Sequence, residues 1–375
     1  MEQDSMRVLH LVSSGGLYGA EQVLLNLARS KNTISYVGAL YSGHGPALDV
    51  IHDAEKRGLR TVVFESRGKI SVKPIFQINK FLRQNRIDIL HTHGYKSDVI
   101  GFLAALSGKT RWVATNHVWH PTSRTLRLYE SVDAFVLRFA KRVVAVSRPI
   151  REDLISVSVP PANIRVISNG VDVDCFRQSG STQALRADLG LGDRDVVVTI
   201  VGRLSPEKGH RTFLEAARRL CSNNRDNVKF LIVGDGPMKD ELRAEVTRLN
   251  LADRVIFTGF RNDMPEIYAL SDVMVNASSI EGLPMTLLEA MASGVPVVAA
   301  RTGGIPEIVK DDETGLLIDP NDVEDLRAKI EVLIDDRCKS QRLAAAAFEF
   351  VTLNHSCERM RDHYQDVYRD VVREQ

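Results

Sequence analysis

The chain has 375 residues, of which 44% are hydrophobic and 26% are charged, and its formal net charge is only +1. This composition is typical of a soluble globular protein, and no apolar stretch approaches the roughly eighteen residues needed to cross a bilayer, which excludes a membrane-spanning chain. The length exceeds the roughly 250–300 residues at which single cores stop growing, so we expect two domains.

Short apolar runs alternate with helical patterns along the whole chain, which predicts βαβ units and parallel sheets. The strands predicted in the first half are Arg7–Val12, Tyr36–Tyr41, Thr61–Phe64, Ile87–His91, Arg111–Thr115 and Val143–Val146, with helices that include Glu21–Ala28, Ile75–Gln84 and Val99–Ala105. The second half follows with strands Val196–Val201, Lys229–Val233, Val255–Thr258, Val273–Asn276, Pro296–Ala299 and Gly315–Ile318, and helices that include His210–Leu220, Met238–Leu249 and Pro284–Ala292. Each half is therefore expected to form a doubly wound, Rossmann-like α/β domain.

A polar segment rich in turn-forming residues, Asn169–Gly190, separates the two halves and indicates the domain boundary. We expect an N-terminal domain over residues 1–172, completed by about 357–375, and a C-terminal domain over 173–356. Ligands of such sheets bind beyond the carboxyl ends of the strands, so the expected site is a central cleft that the two domains face.

The first candidate motif is a glycine-rich turn, Gly15–Glu21, that follows the first strand and opens a helix. Glycines let a ligand approach the backbone, and a helix N-terminus favours negative charge. The pattern is not G-x-G-x-x-G, so it does not favour a dinucleotide, and a turn that serves only packing is the alternative.

The second motif, Gly202–His210 with the sequence GRLSPEKGH, follows the first strand of the second half. Arg203 and Lys208 are suited to bind a diphosphate and to stabilise the negative charge that grows on such a leaving group. The alternative is a pair of surface cations that flank a turn.

The third motif, Glu281–Glu289, enters a helix after a strand and carries a carboxylate at each end. Carboxylates are good acceptors for paired hydroxyls, so Glu281 is a candidate for the sugar and Glu289 for a ribose. The amides of Leu283, Met285 and Thr286 at the helix start are suited to phosphate or sugar oxygens. Helix capping by Glu281 and a salt bridge from Glu289 are the alternative.

The small net charge hides an asymmetry, because residues 1–170 carry 23 Lys and Arg against 13 Asp and Glu. A basic first half is suited to anionic lipid or to a phosphorylated acceptor, and a solvated surface beside an acidic partner domain is the alternative.

The N-terminal residues lack the basic and apolar regions of a signal peptide, and the four scattered cysteines are expected to be buried, reduced thiols without a metal. We therefore expect a cytoplasmic protein, with peripheral contact at an anionic inner membrane face left open, and no nucleic-acid partner.

Taken together, the three motifs and their order resemble the retaining glycosyltransferases of family 4, the glycosyl transferases group 1. Further matches along nearly the whole chain are HTHG at 91–94, AVSRPIREDL at 145–154, VISNGVD at 166–172, LIVGDGP at 231–237, TGF at 258–260 and TGGIPEIV at 302–309. The resemblance implies an α/β GT-B fold whose last helix, Cys357–Val372, crosses back onto the first domain. It also implies transfer from a nucleotide-sugar donor with retention of configuration and without a required metal or other cofactor.

Carried over by position, the resemblance assigns the donor diphosphate to Arg203 and Lys208, the donor sugar to Glu281 and the ribose hydroxyls to Glu289. It also places Gly259 and Phe260 near the nucleobase, Gly15 and Gly16 at the donor, and a histidine near the reacting carbon. The candidate for this histidine is His117; the alternatives are a structural role for it and the neighbouring His91, His93 and His120. His93 and Tyr95 are expected on the acceptor side, and the stretch Trp119–Tyr129 is a candidate acceptor loop.

The resemblance suggests front-face displacement, in which the acceptor attacks from the side that the nucleotide leaves. The donor is expected to be a UDP-sugar rather than GDP-mannose, and the acceptor a glycan, a lipid-linked saccharide or a small phosphorylated molecule. A nucleotide-sugar epimerase of the same fold and a non-catalytic sugar-nucleotide-binding subunit are the alternatives. A Rossmann oxidoreductase is not favoured, because this sequence lacks the dinucleotide-binding motif that such an enzyme requires.

Overall fold

The computed structural model describes residues 6–13, 16–41, 48–66, 72–106, 108–117, 124–177, 182–221 and 225–374. The chain divides into two compact units, one made of residues 1–170 with 357–375 and the other of residues 171–356.

In the first unit, the described strands form one parallel sheet in the order β3-β2-β1-β4-β5-β6-β7. Its strands are β1 (Met6–Val12), β2 (Thr33–Tyr41), β3 (Arg60–Glu65), β4 (Ile89–His93), β5 (Arg111–Asn116), β6 (Arg142–Ala145) and β7 (Ile164–Val166). The helices between them are α1 (Gly19–Ala28), α2 (Asp49–Lys56), α3 (Lys73–Gln84), α4 (Tyr95–Ala105), α5 (Arg124–Leu137) and α6 (Arg148–Ser156). The central strands are buried along most of their length, as expected for a parallel sheet with both faces covered.

The second unit repeats this architecture, with a parallel sheet in the order β10-β9-β8-β11-β12-β13. Its strands are β8 (Val196–Val201), β9 (Val228–Val233), β10 (Val255–Gly259), β11 (Val273–Asn276), β12 (Val297–Ala300) and β13 (Leu316–Ile318). Its helices are α7 (Val173–Arg177), α8 (Gln183–Asp188), α9 (His210–Cys221), α10 (Lys239–Arg248), α11 (Met264–Leu270), α12 (Met285–Ala292), α13 (Ile305–Ile308), α14 (Val323–Asp335) and α15 (Arg337–Asn354).

Helix α9 shows how the sequence produces this packing. Phe213, Ala217 and Leu220 recur at helical spacing and are fully buried, and the ring of Phe213 meets that of Phe230 in β9 edge to face at 5.8 Å. Burial of each large side chain of this kind stabilises the fold by about 1.5–3 kcal/mol. These contacts fix α9 against the sheet, immediately after the loop 202–209.

The last helix, α16 (Cys357–Arg373), returns the chain to the first unit. Arg361 donates to the carbonyl of Asn26 at 2.8 Å, and the Gln365 amide donates to Ser30 Oγ at 2.6 Å. Tyr364 and Tyr368 are fully buried on the same helix. The predicted terminal helix is therefore confirmed. None of the described helices is long and apolar enough to cross a membrane.

Every predicted strand and helix is present, but in the first unit the fourth strand was predicted to end too early and the helix after it to begin too late. The strand expected at Ile87–His91 runs over Ile89–His93, and the following helix begins at Tyr95 instead of Val99. The polar residue Thr92 continues this strand because its side chain finds a buried partner: the indole of Trp112 donates to Thr92 Oγ1 at 2.9 Å.

Two further expectations were wrong. The stretch Trp119–Tyr129 was expected to be a loop, but it is helical from Arg124 onwards, while residues 119–123 lie outside the described residues. The cysteines were expected to be buried, and only one of them is: Cys357 is buried, Cys221 is half-buried, and Cys175 and Cys338 are exposed. The two exposed cysteines lie near the start of surface helices, where no core surrounds them.

Candidate functional site

The order of strands in the second unit reverses between β8 and β11, which are direct neighbours. Ligands of doubly wound sheets bind at this switch point, outside the carboxyl ends of the strands. The loop 202–209 follows β8 and the loop 277–284 follows β11. Two of the three motifs found in the sequence therefore lie together where the topology predicts a ligand.

A salt bridge joins these two loops. Lys208 Nζ lies 2.7 Å from Glu281 Oε1, and the Glu281 side chain is only 8% exposed. The side-chain amide of Asn276, the last residue of β11, approaches the same carboxylate oxygen at 3.5 Å. The pair brings one fixed cation and one fixed carboxylate to the switch point, so the site can donate hydrogen bonds to an anion and accept them from hydroxyl groups.

Backbone contacts hold the two loops and the loop after β12 in one arrangement. Ser279 donates its amide to the carbonyl of Glu207 at 2.8 Å, and Gly304 donates to the carbonyl of Gly282 at 2.8 Å. Gly303 has φ +51°, and a Cβ at this position would lie 1.7 Å from the carbonyl oxygen of Glu281. Only glycine fits there, so the TGG sequence after β12 fixes the position of Glu281.

Helix α12 begins immediately after the loop 277–284. Leu283 and Met285 have buried side chains, and Pro284 caps the helix without an amide hydrogen. The amides of Met285 and Thr286 lie in the first turn, where helix geometry provides no intrahelical acceptor. The positive end of the helix is thus next to Glu281 in sequence, and it favours an anionic group.

The second carboxylate of the motif, Glu289, lies on α12 and contacts a different group. The hydroxyl of Tyr268 in α11 donates to Glu289 Oε2 at 2.8 Å. Burial raises the pKa of Glu289 from 4.5 to about 7, and the hydrogen bond from Tyr268 opposes the shift only in part. A carboxyl group held near neutrality by burial is typical of a functional position.

The remaining donor-side candidates of the second unit lie on the same sheet. Arg203 is exposed, at the start of the loop that contains Lys208. Gly259 ends β10 with φ +71°, and its carbonyl accepts the amide of Gly234 at 2.9 Å. The ring of Phe260, the next residue, is exposed. The sheet order puts β10 two strands away from β8.

In the first unit, the strand order reverses between β1 and β4. Gly16 is buried in the turn between β1 and α1, while Gly15 lies outside the described residues. His93 ends β4 and is buried. Tyr95, which opens α4, is exposed, and its ring stacks on that of Tyr129 at 5.9 Å.

The candidate His117 follows β5 directly and is close to His93. Its Nε2 lies 3.5 Å from His93 Nδ1, and the two rings stack with centroids 5.8 Å apart. Burial lowers the pKa of His117 to about 4. Burial also holds the pKa of His93 well below its usual value, and the neighbouring imidazoles lower it further. Both rings are therefore neutral at pH 7, so this pair offers hydrogen bonds and not a positive charge.

His93 also belongs to a cluster of three buried histidines, with His10 and His91, whose ring nitrogens lie within 4.8 Å of one another. The nitrogens of His91 are engaged, since Nδ1 lies 2.7 Å from the Tyr368 hydroxyl and Nε2 lies 2.7 Å from Thr115 Oγ1. A metal at this cluster would have to break one of these hydrogen bonds. His91 thus forms a hydrogen-bonded contact between the sheet and α16, whereas His10 Nδ1 and His93 Nε2 are buried without a hydrogen-bond partner among the described residues.

Sequence reasoning missed several residues that shape these sites. Asn276 could have been found, because it ends a strand at the switch point. Gly303, after β12, could also have been found, because it belongs to the glycine-rich TGG sequence. Tyr268 carried none, since it lies 21 residues before Glu289 and meets it only after folding.

Comparison with known protein families gives matches over both halves of the chain. The model of Glycosyltransferase Family 4 matches residues 19–175, and that of Glycosyl transferases group 1 matches residues 181–350. Among curated proteins, the UDP-Gal:alpha-D-GlcNAc-diphosphoundecaprenol alpha-1,3-galactosyltransferase of Escherichia coli is 32% identical over 339 residues, covering 88% of this chain and 87% of that protein. A GDP-mannose-dependent alpha-(1-6)-phosphatidylinositol monomannoside mannosyltransferase of Mycobacterium tuberculosis is 33% identical over 259 residues, covering 66% of this chain and 67% of that protein.

Solved structures show the same similarity. Anabaena HepE in complex with UDP-glucose superimposes with a TM-score of 0.88 at 26% identity, covering 97% of this chain and 100% of that one. The sucrose-phosphate synthase of Thermosynechococcus elongatus superimposes with a TM-score of 0.78 at 21% identity, covering 97% of this chain and 99% of that one, and supports the fold alone.

Proposed function

The chain belongs to glycosyltransferase family 4, with the GT-B fold of two Rossmann-like domains, and we propose that it transfers a hexosyl group from a UDP-sugar to a lipid-linked acceptor with retention of configuration. It is a hexosyltransferase, and its donor is a nucleotide-sugar.

The observation that carries the proposal is the contact between Lys208 and Glu281 at the switch point of the second sheet. A nucleotide-sugar presents a diphosphate next to a polyhydroxylated ring, and this pair offers a cation for the first and a carboxylate for the second. In the proposal, Lys208 and the exposed Arg203 bind the diphosphate, and Glu281 accepts hydrogen bonds from sugar hydroxyls. The first-turn amides of α12 add donors for the same oxygens.

Glu289 is proposed to bind the ribose hydroxyls, because its half-buried carboxylate offers two oxygens that accept hydrogen bonds from paired hydroxyls. Gly259 and Phe260 are proposed to border the nucleobase through the backbone and the exposed ring. In the first unit, Gly16 is proposed to approach the donor and His117 the reacting carbon. His93 and Tyr95 are proposed to contribute to the acceptor side.

A UDP-sugar is proposed over GDP-mannose for two reasons. The relative that matches over 88% of this chain is named for UDP-Gal, and HepE, with a TM-score of 0.88, binds UDP-glucose. The mannosyltransferase relative matches a smaller share of the chain, 66%. The E. coli relative is also named for a diphosphoundecaprenol-linked acceptor, which supports a lipid-linked saccharide here.

For the reaction itself, we propose front-face displacement. The acceptor oxygen forms the new bond to the anomeric carbon on the face from which the nucleotide diphosphate departs, and the proton of the acceptor passes to the departing phosphate oxygen. Lys208 and Arg203 stabilise the charge that develops on this oxygen. The neutral imidazole of His117 is suited to accept a hydrogen bond near the reacting carbon without adding repulsive charge.

The test is a donor panel with matched lysine variants. Purified protein is incubated with UDP-galactose, UDP-glucose, UDP-N-acetylglucosamine and GDP-mannose, and the release of UDP or GDP is followed. We expect release from one UDP-sugar and a loss of about 100-fold in Lys208→Ala, since an oxyanion-stabilising group of this kind contributes roughly 10²–10³ in rate.

The matched control is Lys239→Ala, because Lys239 also forms a salt bridge, with Asp235 at 2.8 Å, but on the surface of α10. It should keep full activity. Equal losses in both variants would contradict the role of Lys208. Release only from GDP-mannose would refute the proposed base, and conversion of the donor sugar without nucleotide release would identify an epimerase.

A further inference from the structure

Exposed large hydrophobic side chains are concentrated in one short part of the first unit. Among the described residues of the whole chain, 18 large hydrophobic side chains are exposed, and eight of them lie between residues 95 and 139. These eight are Tyr95, Leu103, Leu106, Leu128, Tyr129, Val132, Phe135 and Phe139. A soluble surface normally exposes such side chains singly, so their concentration on α4 and α5 requires an explanation.

Helix α5 and the turn after it carry an apolar stripe that faces solvent. Leu128, Val132, Phe135 and Phe139 are spaced by four, three and four residues, which places them on one helical face. The core contact is made by a second apolar face, which includes the fully buried Leu137. The stripe is thus additional to the side chains that the unit needs for its own core.

Ring contacts join the stripe to the exposed residues of α4. Phe139 stacks on Phe102 of α4 with ring centroids 5.4 Å apart, and Tyr129 stacks on Tyr95 at 5.9 Å. Leu103 lies on the same helix as Phe102, and Leu106 directly follows the end of this helix. The two helices therefore share one continuous surface, which we name the α4–α5 patch and define by the eight exposed residues above.

The surroundings of the α4–α5 patch are basic. Residues 109–151 contain nine Lys and Arg against two acidic residues, Glu130 and Asp133. Asp133 is buried, and one of the nine cations, Arg142, is buried and paired with Glu374. Lys109 and Lys141 are exposed in the turns that lead from α4 and α5 into the neighbouring strands β5 and β6, so they emerge at the same edge of the sheet. The guanidinium of Arg138 lies over the Phe135 ring at 5.8 Å.

We propose that the α4–α5 patch docks the protein on an anionic lipid bilayer. An interfacial helix inserts its apolar side chains among the acyl chains while cations at its border meet lipid phosphates, and tyrosines favour the level of the headgroups. The patch combines all three features. The excess of positive charge favours a lipid surface over a second copy of this chain, because two such patches would repel each other.

The test is sedimentation of the full chain with vesicles, without donor or acceptor. Vesicles of phosphatidylglycerol and phosphatidylethanolamine are compared with vesicles of phosphatidylcholine alone. We expect binding to the anionic vesicles only, weakened between about 0.05 and 0.5 M salt because the Debye length shrinks from roughly 14 to 4 Å. The double variant Leu128→Ser/Phe135→Ser should lower the partition coefficient at least about tenfold, since two inserted side chains are lost.

The control is Leu353→Ser/Phe76→Ser, which removes a leucine and a phenylalanine that are equally or more exposed but lie outside the patch. Leu353 is 60% exposed against 65% for Leu128, and Phe76 is 73% exposed against 54% for Phe135. This control should bind vesicles like the wild type. Failure of the wild type to bind anionic vesicles, or an equal loss in both double variants, would overturn the proposal.

A concentration-dependent dimer that only the patch variant dissociates would also overturn the proposal, by identifying a second copy as the occupant. The inference goes beyond the proposed function and is separable from it. Vesicle binding needs no substrate, and both double variants should retain the wild-type unfolding temperature and nucleotide release.

Discussion

The raised pKa of Glu289 should make the protein less stable as pH rises, and replacing this half-buried residue with glutamine should remove the effect. Burial raises its pKa from 4.5 to about 7. A group whose pKa is raised in the folded state contributes fully below the unfolded pKa, and its contribution is lost as pH rises through the folded pKa. The folded state therefore loses stability between about pH 4.5 and pH 8.

The size of the effect follows from the two pKa values. The difference is 7 − 4.5 = 2.5 units, which corresponds to about 3 kcal/mol once the group is ionised in both states. About 2 kcal/mol of this develops between pH 5.5 and pH 8. Glutamine keeps an oxygen that accepts the hydrogen bond from Tyr268, but it has no proton to lose.

We expect the unfolding temperature of Glu289→Gln, relative to the wild type, to increase by roughly 4–8 °C from pH 5.5 to pH 8. Differential scanning fluorimetry across this range measures the change. The matched control is Glu349→Gln, because Glu349 is exposed on α15, and its difference from the wild type should not vary with pH. A pH-independent difference for Glu289→Gln would refute the reasoning.

The same variant tests the proposed role of Glu289 in binding. Removing the charged acceptor should weaken UDP binding at pH 8 by about 10-fold or more, since hydrogen bonds to a charged group contribute roughly 1.5–3 kcal/mol. Isothermal titration calorimetry measures this affinity. A variant that is more stable and yet binds UDP as tightly as the wild type would show that the ribose is held elsewhere.

Two further substitutions test the site loops and the first unit. Gly303→Ala should abolish most nucleotide release and destabilise the protein by about 2 kcal/mol or more, because its Cβ would clash with the Glu281 carbonyl, whereas Gly294→Ala, with positive φ and open space, should cost only about 1 kcal/mol. Comparable effects on nucleotide release in the two variants would contradict this account. Asp98→Asn should stabilise the protein increasingly from pH 5 to pH 8, because burial and the nearby Asp133 hold the pKa of Asp98 well above its usual range and its contribution is lost as pH rises. An unfolding temperature difference that does not vary with pH would rule this out.

The alternation of strands and helices could be predicted from the sequence, because apolar runs and glycine-rich turns are local features. The same holds for the loop 202–209 and the start of α12, which follow strands in the order that a doubly wound sheet requires. The family resemblance could also be recognised from the sequence, since it depends only on the kind and order of residues. The end of β4 was harder, because the polar residues Thr92 and His93 belong to the strand only through partners elsewhere in the fold.

What the sequence by itself determined about this protein is the class of each half, the place of the motifs on loops after strands, and the residue types offered to a ligand. Only the tertiary structure decided which of these residues meet. The 2.7 Å contact of Lys208 with Glu281 joins residues 73 positions apart, and the contact of Tyr268 with Glu289 fixes a half-buried acid. The structure also decided which of the two apolar faces of α5 is buried. Burial depends on what the rest of the chain packs against a residue, and that information is not local.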